Sequence, residues 1–143
     1  MAGSEFPGVI VDTNVLFSGL GRPLGIPARV VSAVVPQRMI VGSDLLSEYR
    51  RVLLEPRALA FLGLTEDDIE AVLSDIEAGA QIETSSAGPT CPDPADQHLW
   101  DLLAGVPQAV LVTGERLLLS SGHFPGRIMS PREFVERHLD SSP

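Results

Sequence analysis

The sequence predicts an α/β fold, a three-layer αβα sandwich around a central, mostly parallel sheet. Three observations carry that prediction. Val9–Val11 and Ala109–Val112 are short, unbroken apolar runs, the pattern of strands buried on both faces. Segments with helical spacing lie between the strand-like runs, as at Ile69, Val72, Leu73 and Ile76. No internal repeat, low-complexity tract or linker interrupts the 143 residues, which suffice for one domain with a core.

Taken in order, Val9–Val11 forms the first strand, and Ser18 to Pro27 reads as a Gly/Pro-rich link. An apolar helix follows over about 28–35. Arg38 to Gly42 reads as a second strand. Ser43 is placed to cap a helix through Leu53, and Pro56 ends that helix or lies just beyond it. Thr65 caps the next helix, and Glu66, Asp67 and Asp68 suit its positive N-terminal end. Gln81 to Thr84 is a third strand candidate and 85–92 a loop. A helix is expected over about 94–104, a strand at 109–113 and a short last strand at 127–129. Ser130-Pro131-Arg132-Glu133 has the form of a helix start with a capping box.

Residues 1–7 are set aside as a cloning-derived tail, because Gly-Ser-Glu-Phe is what two adjacent restriction sites encode. The domain is placed at 8–139, with a C-terminal tail at 140–143. No apolar run approaches the roughly 18 residues of a membrane span, and no secretory leader is visible. A single cysteine, Cys91, excludes an internal disulfide and fits a reducing cytoplasm. The net charge of −9 argues against a general polyanion binder. All ten basic residues are arginine; coding bias accounts for that, though arginine also suits phosphate recognition.

Acids recur at element boundaries. Asp12 closes the first strand and is followed by Thr13 and Asn14. Glu48 lies one turn inside a helix. Asp93 and Asp96 flank Pro94, and Glu115 follows the 109–113 strand after Thr113-Gly114. Each has a structural explanation: Asp12 a cap or turn, Glu48 a solvated position beside Arg50 or Arg51, Asp93 and Asp96 helix capping, Glu115 a turn residue. Yet two acids at the carboxyl ends of two buried parallel strands would lie about 5 Å apart. That sheet edge is where open α/β folds bind ligands. Converging carboxylates repel, by about 4 kcal/mol for a pair at 4 Å and an effective dielectric of 20. A hard divalent cation, Mg²⁺ or Mn²⁺, relieves that repulsion through oxygen ligands. His98, His123 and His138 lack zinc-type spacing with each other or with Cys91.

From residue 9 to about 135 the chain resembles the PIN domain, the metal-dependent ribonuclease fold of bacterial VapC-type toxins. Val9-Ile10-Val11-Asp12-Thr13-Asn14 is similar to that family's opening motif, and the segment around Glu48 to its second. Pro92-Asp93-Pro94-Ala95-Asp96 resembles the third motif and Val112-Thr113-Gly114-Glu115 the fourth, where the family usually has Asp. The resemblance implies a Mg²⁺- or Mn²⁺-dependent endoribonuclease, a cytoplasmic toxin held by a cognate antitoxin and forming a homodimer. It implies Asp12, Glu48 and Asp96 on a first metal, and Glu115 with Asp93 assisting or holding a second. Thr13, Asn14 and Thr113 would support the carboxylates or the attacking water. Arg50, Arg51 and Arg116 would contact RNA. Two rivals stay open: a weakly catalytic PIN-like module acting through a protein partner, and another α/β phosphohydrolase with Asp12 as nucleophile.

Overall fold

The computed structural model describes residues 7–140; most of both expected tails lies outside the described residues. Five strands form: β1 (Val9–Val11), β2 (Ile40–Val41), β3 (Gln81–Ile82), β4 (Val110–Val112) and β5 (Ile128–Met129). Around them lie α1 (Thr13–Gly21), α2 (Ile26–Val34), α3 (Ser43–Leu53), α4 (Pro56–Leu62), α5 (Glu66–Gly79), α6 (Gln97–Gly105), α7 (Arg116–Leu119) and α8 (Pro131–Phe134). A 3₁₀ turn, Pro94–Asp96, precedes α6, and a π-helical turn, Val135–Leu139, follows α8.

Every strand pairing is parallel. β1 pairs with β4 and β4 with β5, while β2 pairs with β3. A parallel bridge between Val9 and Met39 joins the two groups, giving the order β3-β2-β1-β4-β5. β1 is therefore central, and Val9, Ile10 and Val11 are wholly buried. The helices complete the three-layer α/β sandwich. Its core is aliphatic, with Trp100, Tyr49 and Phe134 as its largest fully buried side chains.

Local chemistry differs from the sequence expectation at four places. The link at 18–27 is largely helical, since α1 runs to Gly21 and α2 begins at Ile26. Gly19 in α1 serves a close crossing with α2: a Cβ there would lie 2.4 Å from Val31 Cγ2. Ser43 does not cap α3; Gly42 occupies that position and no side chain caps the helix. Pro56 lies just beyond α3, as expected, but it also starts α4, a helix not foreseen, using the first-turn position where its missing N–H costs nothing. Ser130 caps α8 through Glu133 N–H, but the Glu133 carboxylate pairs with Arg137 at 2.9 Å in place of closing a capping box. The Thr65–Asp68 capping box at α5 is present in full.

Candidate active site

The register of β1 against β4 pairs Val11 with Val112. The next residues, Asp12 and Thr113, therefore leave the sheet side by side at its carboxyl edge. Asp12 N–H donates to the Val112 carbonyl at 3.0 Å. Asp12 occupies the N-cap position of α1 but makes no side-chain cap. Its Oδ2 instead accepts a 2.7 Å hydrogen bond from Thr113 Oγ1. Both residues are buried. Burial holds the Asp12 carboxyl above its ordinary range. The Thr113 hydroxyl opposes that shift, while the charges of Glu48 and Glu115 add to it.

Glu48 is brought to the same edge by α3. The next residue, Tyr49, is fully buried and its hydroxyl donates to the Val11 carbonyl, fastening α3 to the end of β1. One Glu48 oxygen accepts from Thr13 Oγ1. The other lies 3.3 Å from His98 Nε2 and 4.0 Å from Arg51, whose side chain is mostly exposed. Burial, and then the charges of Asp12 and Glu48, push the Tyr49 phenol well above its usual range, so it stays a neutral donor.

Asp93 and Asp96 arrive on a loop knitted to α6. Gln97 Oε1 accepts from Cys91 N–H at 2.8 Å, and Gln97 Nε2 donates to the Pro89 carbonyl and Asp101. Asp101 in turn accepts from Gly88 N–H at 2.9 Å. Asp93 caps the 3₁₀ turn through Ala95 N–H. Asp96, expected inside a helix begun at Pro94, ends that turn and makes no side-chain cap to α6. Glu115 N–H donates to Thr113 Oγ1 at 3.0 Å, so one hydroxyl orients both strand-end acids.

One carboxylate oxygen from each of Asp93, Asp96 and Glu115 lies within 4.8 Å of the others. Asp96 is pushed up to about 7, first by burial and then by Asp12, Asp93, Glu48 and Glu115 in turn. Four other acids thus act on one half-buried carboxyl group. The donors are all hard oxygens, and among the described residues the one arginine that pairs with them is Arg51, 4.0 Å from Glu48. Such a donor set fits a divalent cation with oxygen preference.

The remaining expected residues divide. Asn14 is exposed and forms no side-chain hydrogen bond with the acids. Arg50 points away from the cluster, paired with Glu70 at 2.7 Å. Arg116 is exposed directly after Glu115, with no ion pair among the described residues. His98 and Tyr49 hold the site together and carried no signal of their own; the one hint was that each adjoins or nearly adjoins an acid in sequence. His123 accepts from Trp100 Nε1 at 2.8 Å, and His138 packs on Phe134.

The family model described as "PIN domain" matches residues 8–117. An uncharacterized protein of Methanocaldococcus jannaschii is 22% identical over 139 residues, covering 90% of this chain and 89% of that protein. Among the described residues no helix is long and apolar enough to cross a membrane.

Proposed function

The chain belongs to the PIN-domain family, and from that premise we propose that it is a Mg²⁺- or Mn²⁺-dependent endoribonuclease. We read it as the toxin of a toxin–antitoxin pair, acting in the cytoplasm as a homodimer. The observation that carries the nuclease reading is geometric: one carboxylate oxygen from each of Asp93, Asp96 and Glu115 lies within 4.8 Å of the others, at the sheet edge where Thr113 joins Glu115 to Asp12.

Asp12, Glu48 and Asp96 would hold a first ion, and Glu115 with Asp93 would assist or hold a second. When bound, the cation supplies activation of water and stabilisation of the leaving oxygen for in-line attack on a phosphodiester. The chain's own groups do the positioning. Thr113 aims Asp12, while Thr13 and His98 fix the two oxygens of Glu48. Arg51 and Arg116 are exposed beside the acids and meet the RNA backbone; Arg50 is already engaged by Glu70.

The antitoxin reading rests on charge and on resemblance. A chain at −9 suits a basic or amphipathic partner. A small antitoxin that lays a helix on this surface and brings a cation to the acids fits that field. Co-expression with the adjacent reading frame and pull-down tests it. A locus that encodes no small partner argues for a stand-alone nuclease.

A second reading, a weakly catalytic module acting through its partner, is favoured by Glu115, which stands where the family usually has Asp. Time-resolved cleavage of mixed RNA in Mn²⁺ separates the two, with EDTA and Asp12→Asn as controls. Cleavage abolished by both controls supports the nuclease. Equal, negligible rates in all arms support the module.

A further inference from the structure

Phe61, near the end of α4, is 64% exposed, yet its ring is stacked on Phe17 of α1, with 5.5 Å between ring centroids and 16° between the planes. The two rings form a wall common to two hollows. One, of about 370 Å³, is also lined by Asn14, Val52, Glu55 and Arg57. The other, of about 420 Å³, is also lined by Ser18, Arg22 and Pro27.

The first hollow continues from the acids. Phe17 stands one helical turn beyond Thr13, whose hydroxyl donates to Glu48. Val52 stands one turn beyond Glu48 itself. The helix faces that bring groups to the site therefore run on into the walls of the hollow.

Charge also sets this ridge apart. The chain carries −9, and the hollow at the start of α3 is lined by Asp44 and Glu83 with no arginine. Here two guanidiniums, Arg57 and Arg22, stand against one carboxylate, Glu55. Both arginines are exposed and form no ion pair among the described residues. A basic partner drawn to the acids would meet like charge at this ridge. An exposed ring backed by a second ring, with cations on either side, is how single-stranded nucleic acid is held: bases stack on the aromatic face and the cations follow the backbone.

We infer that the ridge is a base-stacking subsite for single-stranded RNA: a nucleotide flanking the scissile phosphodiester lays its base on Phe61, and Arg57 meets an adjacent phosphate. Every base has a π-face, so the subsite takes any base with little preference. It rests on the nuclease reading and adds to it where the strand runs beyond the acids and what holds it there.

The test walks a single abasic residue along a fluorescent oligoribonucleotide. Binding to the Asp12→Asn protein in Mn²⁺ is followed by anisotropy, alone and combined with Phe61→Leu, Phe61→Trp or Arg57→Gln. Phe61→Leu keeps an apolar side chain and removes the ring, at an unchanged melting temperature. At one position the abasic residue should weaken binding about tenfold, and Phe61→Leu should weaken the intact strand by a similar factor. Combined, the two losses should not add, because each removes one partner of the same contact. Phe61→Trp should bind at least as well as the native ring. Arg57→Gln should lower the slope of log Kd against log salt by about 0.7, the share of one phosphate on a single strand. Cleavage by the same variants with Asp12 intact is measured in parallel.

Losses that add, no loss with Phe61→Leu, or no binding at all overturn the subsite, and cleavage then decides separately whether the nuclease stands. Coupled losses in binding without any cleavage keep the subsite and remove the nuclease. If Phe61→Leu spares RNA but abolishes pull-down of the product of the adjacent reading frame, the ridge belongs to a protein partner and the stacking role falls.

Discussion

Thr113 Oγ1 donates a 2.7 Å hydrogen bond to Asp12 Oδ2 between two adjacent parallel strands, and in the same position accepts the Glu115 N–H. Thr113→Val keeps the shape and removes both bonds. A buried carboxylate left short of a donor costs about 1–3 kcal/mol. The hydroxyl lowers the Asp12 pKa, so its loss raises a carboxyl that burial has already raised. Urea unfolding should show the destabilisation, and the acid limb of the cleavage profile should move to higher pH. An unmoved limb would separate Thr113 from the chemistry.

Metal-free stability should fall as pH rises. Asp96 has a folded-state value near 7 against an ordinary 3.8, and Asp12 is shifted the same way. The folded state therefore holds protons more tightly than the unfolded chain. Their contribution is fully present below about pH 4 and is lost as pH passes through 7. A three-unit shift is worth about 4 kcal/mol when fully realised. Asp96 is half-buried, and screening leaves about 1–2 kcal/mol. Melting in EDTA should drop between pH 5 and pH 8, and millimolar Mn²⁺ should flatten that drop. A flat EDTA curve would mean that the acids do not share a field.

Glu115→Ala should have opposite effects with and without metal. Glu115 raises the Asp96 carboxyl by charge, so removing it relieves repulsion and stabilises the metal-free protein by roughly 1 kcal/mol. It should also weaken Mn²⁺ binding, by about tenfold on the scale seen for groups that tune a metal site. Cleavage should suffer less than in Asp12→Ala, and Glu115→Asp should run faster than the native chain. Calorimetry and initial rates in Mg²⁺ and Mn²⁺ provide the comparison. Equal rates for native chain, Glu115→Asp and Glu115→Ala would take Glu115 out of the site.

Arg127 should prove irreplaceable by lysine. Its guanidinium donates to the carbonyls of Ala109, Leu103 and Val106 at 2.9, 2.8 and 2.7 Å and packs on the Phe124 ring. It thus ties the end of α6 and its exit to the base of β5. Arg127→Met removes its donors from the Ala109 and Leu103 carbonyls, while Val106 keeps the Ala109 N–H, at a cost of about 2–4 kcal/mol. Arg127→Lys should recover little, because an ammonium lacks the planar fork. Denaturant midpoints of the three proteins decide it.

What the sequence disclosed follows the strength of each local signal. Val9–Val11 and Val110–Val112 are unbroken apolar runs, so their ends, and with them Asp12 and Thr113, could be placed at the ligand-binding edge. The Thr65 box names its own residues. α1 was hidden because Gly19 and Gly21 imitate a loop, although Gly19 marks a helix crossing. Pro56 marked the boundary after α3 but not the start of α4, because a proline that stops one helix and one that starts the next look alike in sequence. β2 and β3 fall inside the segments read as strands, 38–42 and 81–84, but hold two residues each, too few for a period to fix their ends. His98 escaped because its role depends on Glu48, fifty positions away, which the fold alone brings near.

Tyr49 has a wider consequence. Its hydroxyl reaches the carbonyl just before Asp12 while its backbone carries Glu48, so the separation of two acids is written into the packing of one core aromatic. Accuracy at the surface is thereby inherited from the interior. Substitutions in the layer between α3 and β1 would disturb function while the domain remained folded, since core adjustments of a fraction of an ångström exceed what a catalytic constellation accepts. The outer face of α5 carries no such burden. The tolerance of this chain to change is set by mechanical connection to Tyr49 rather than by distance from the acids.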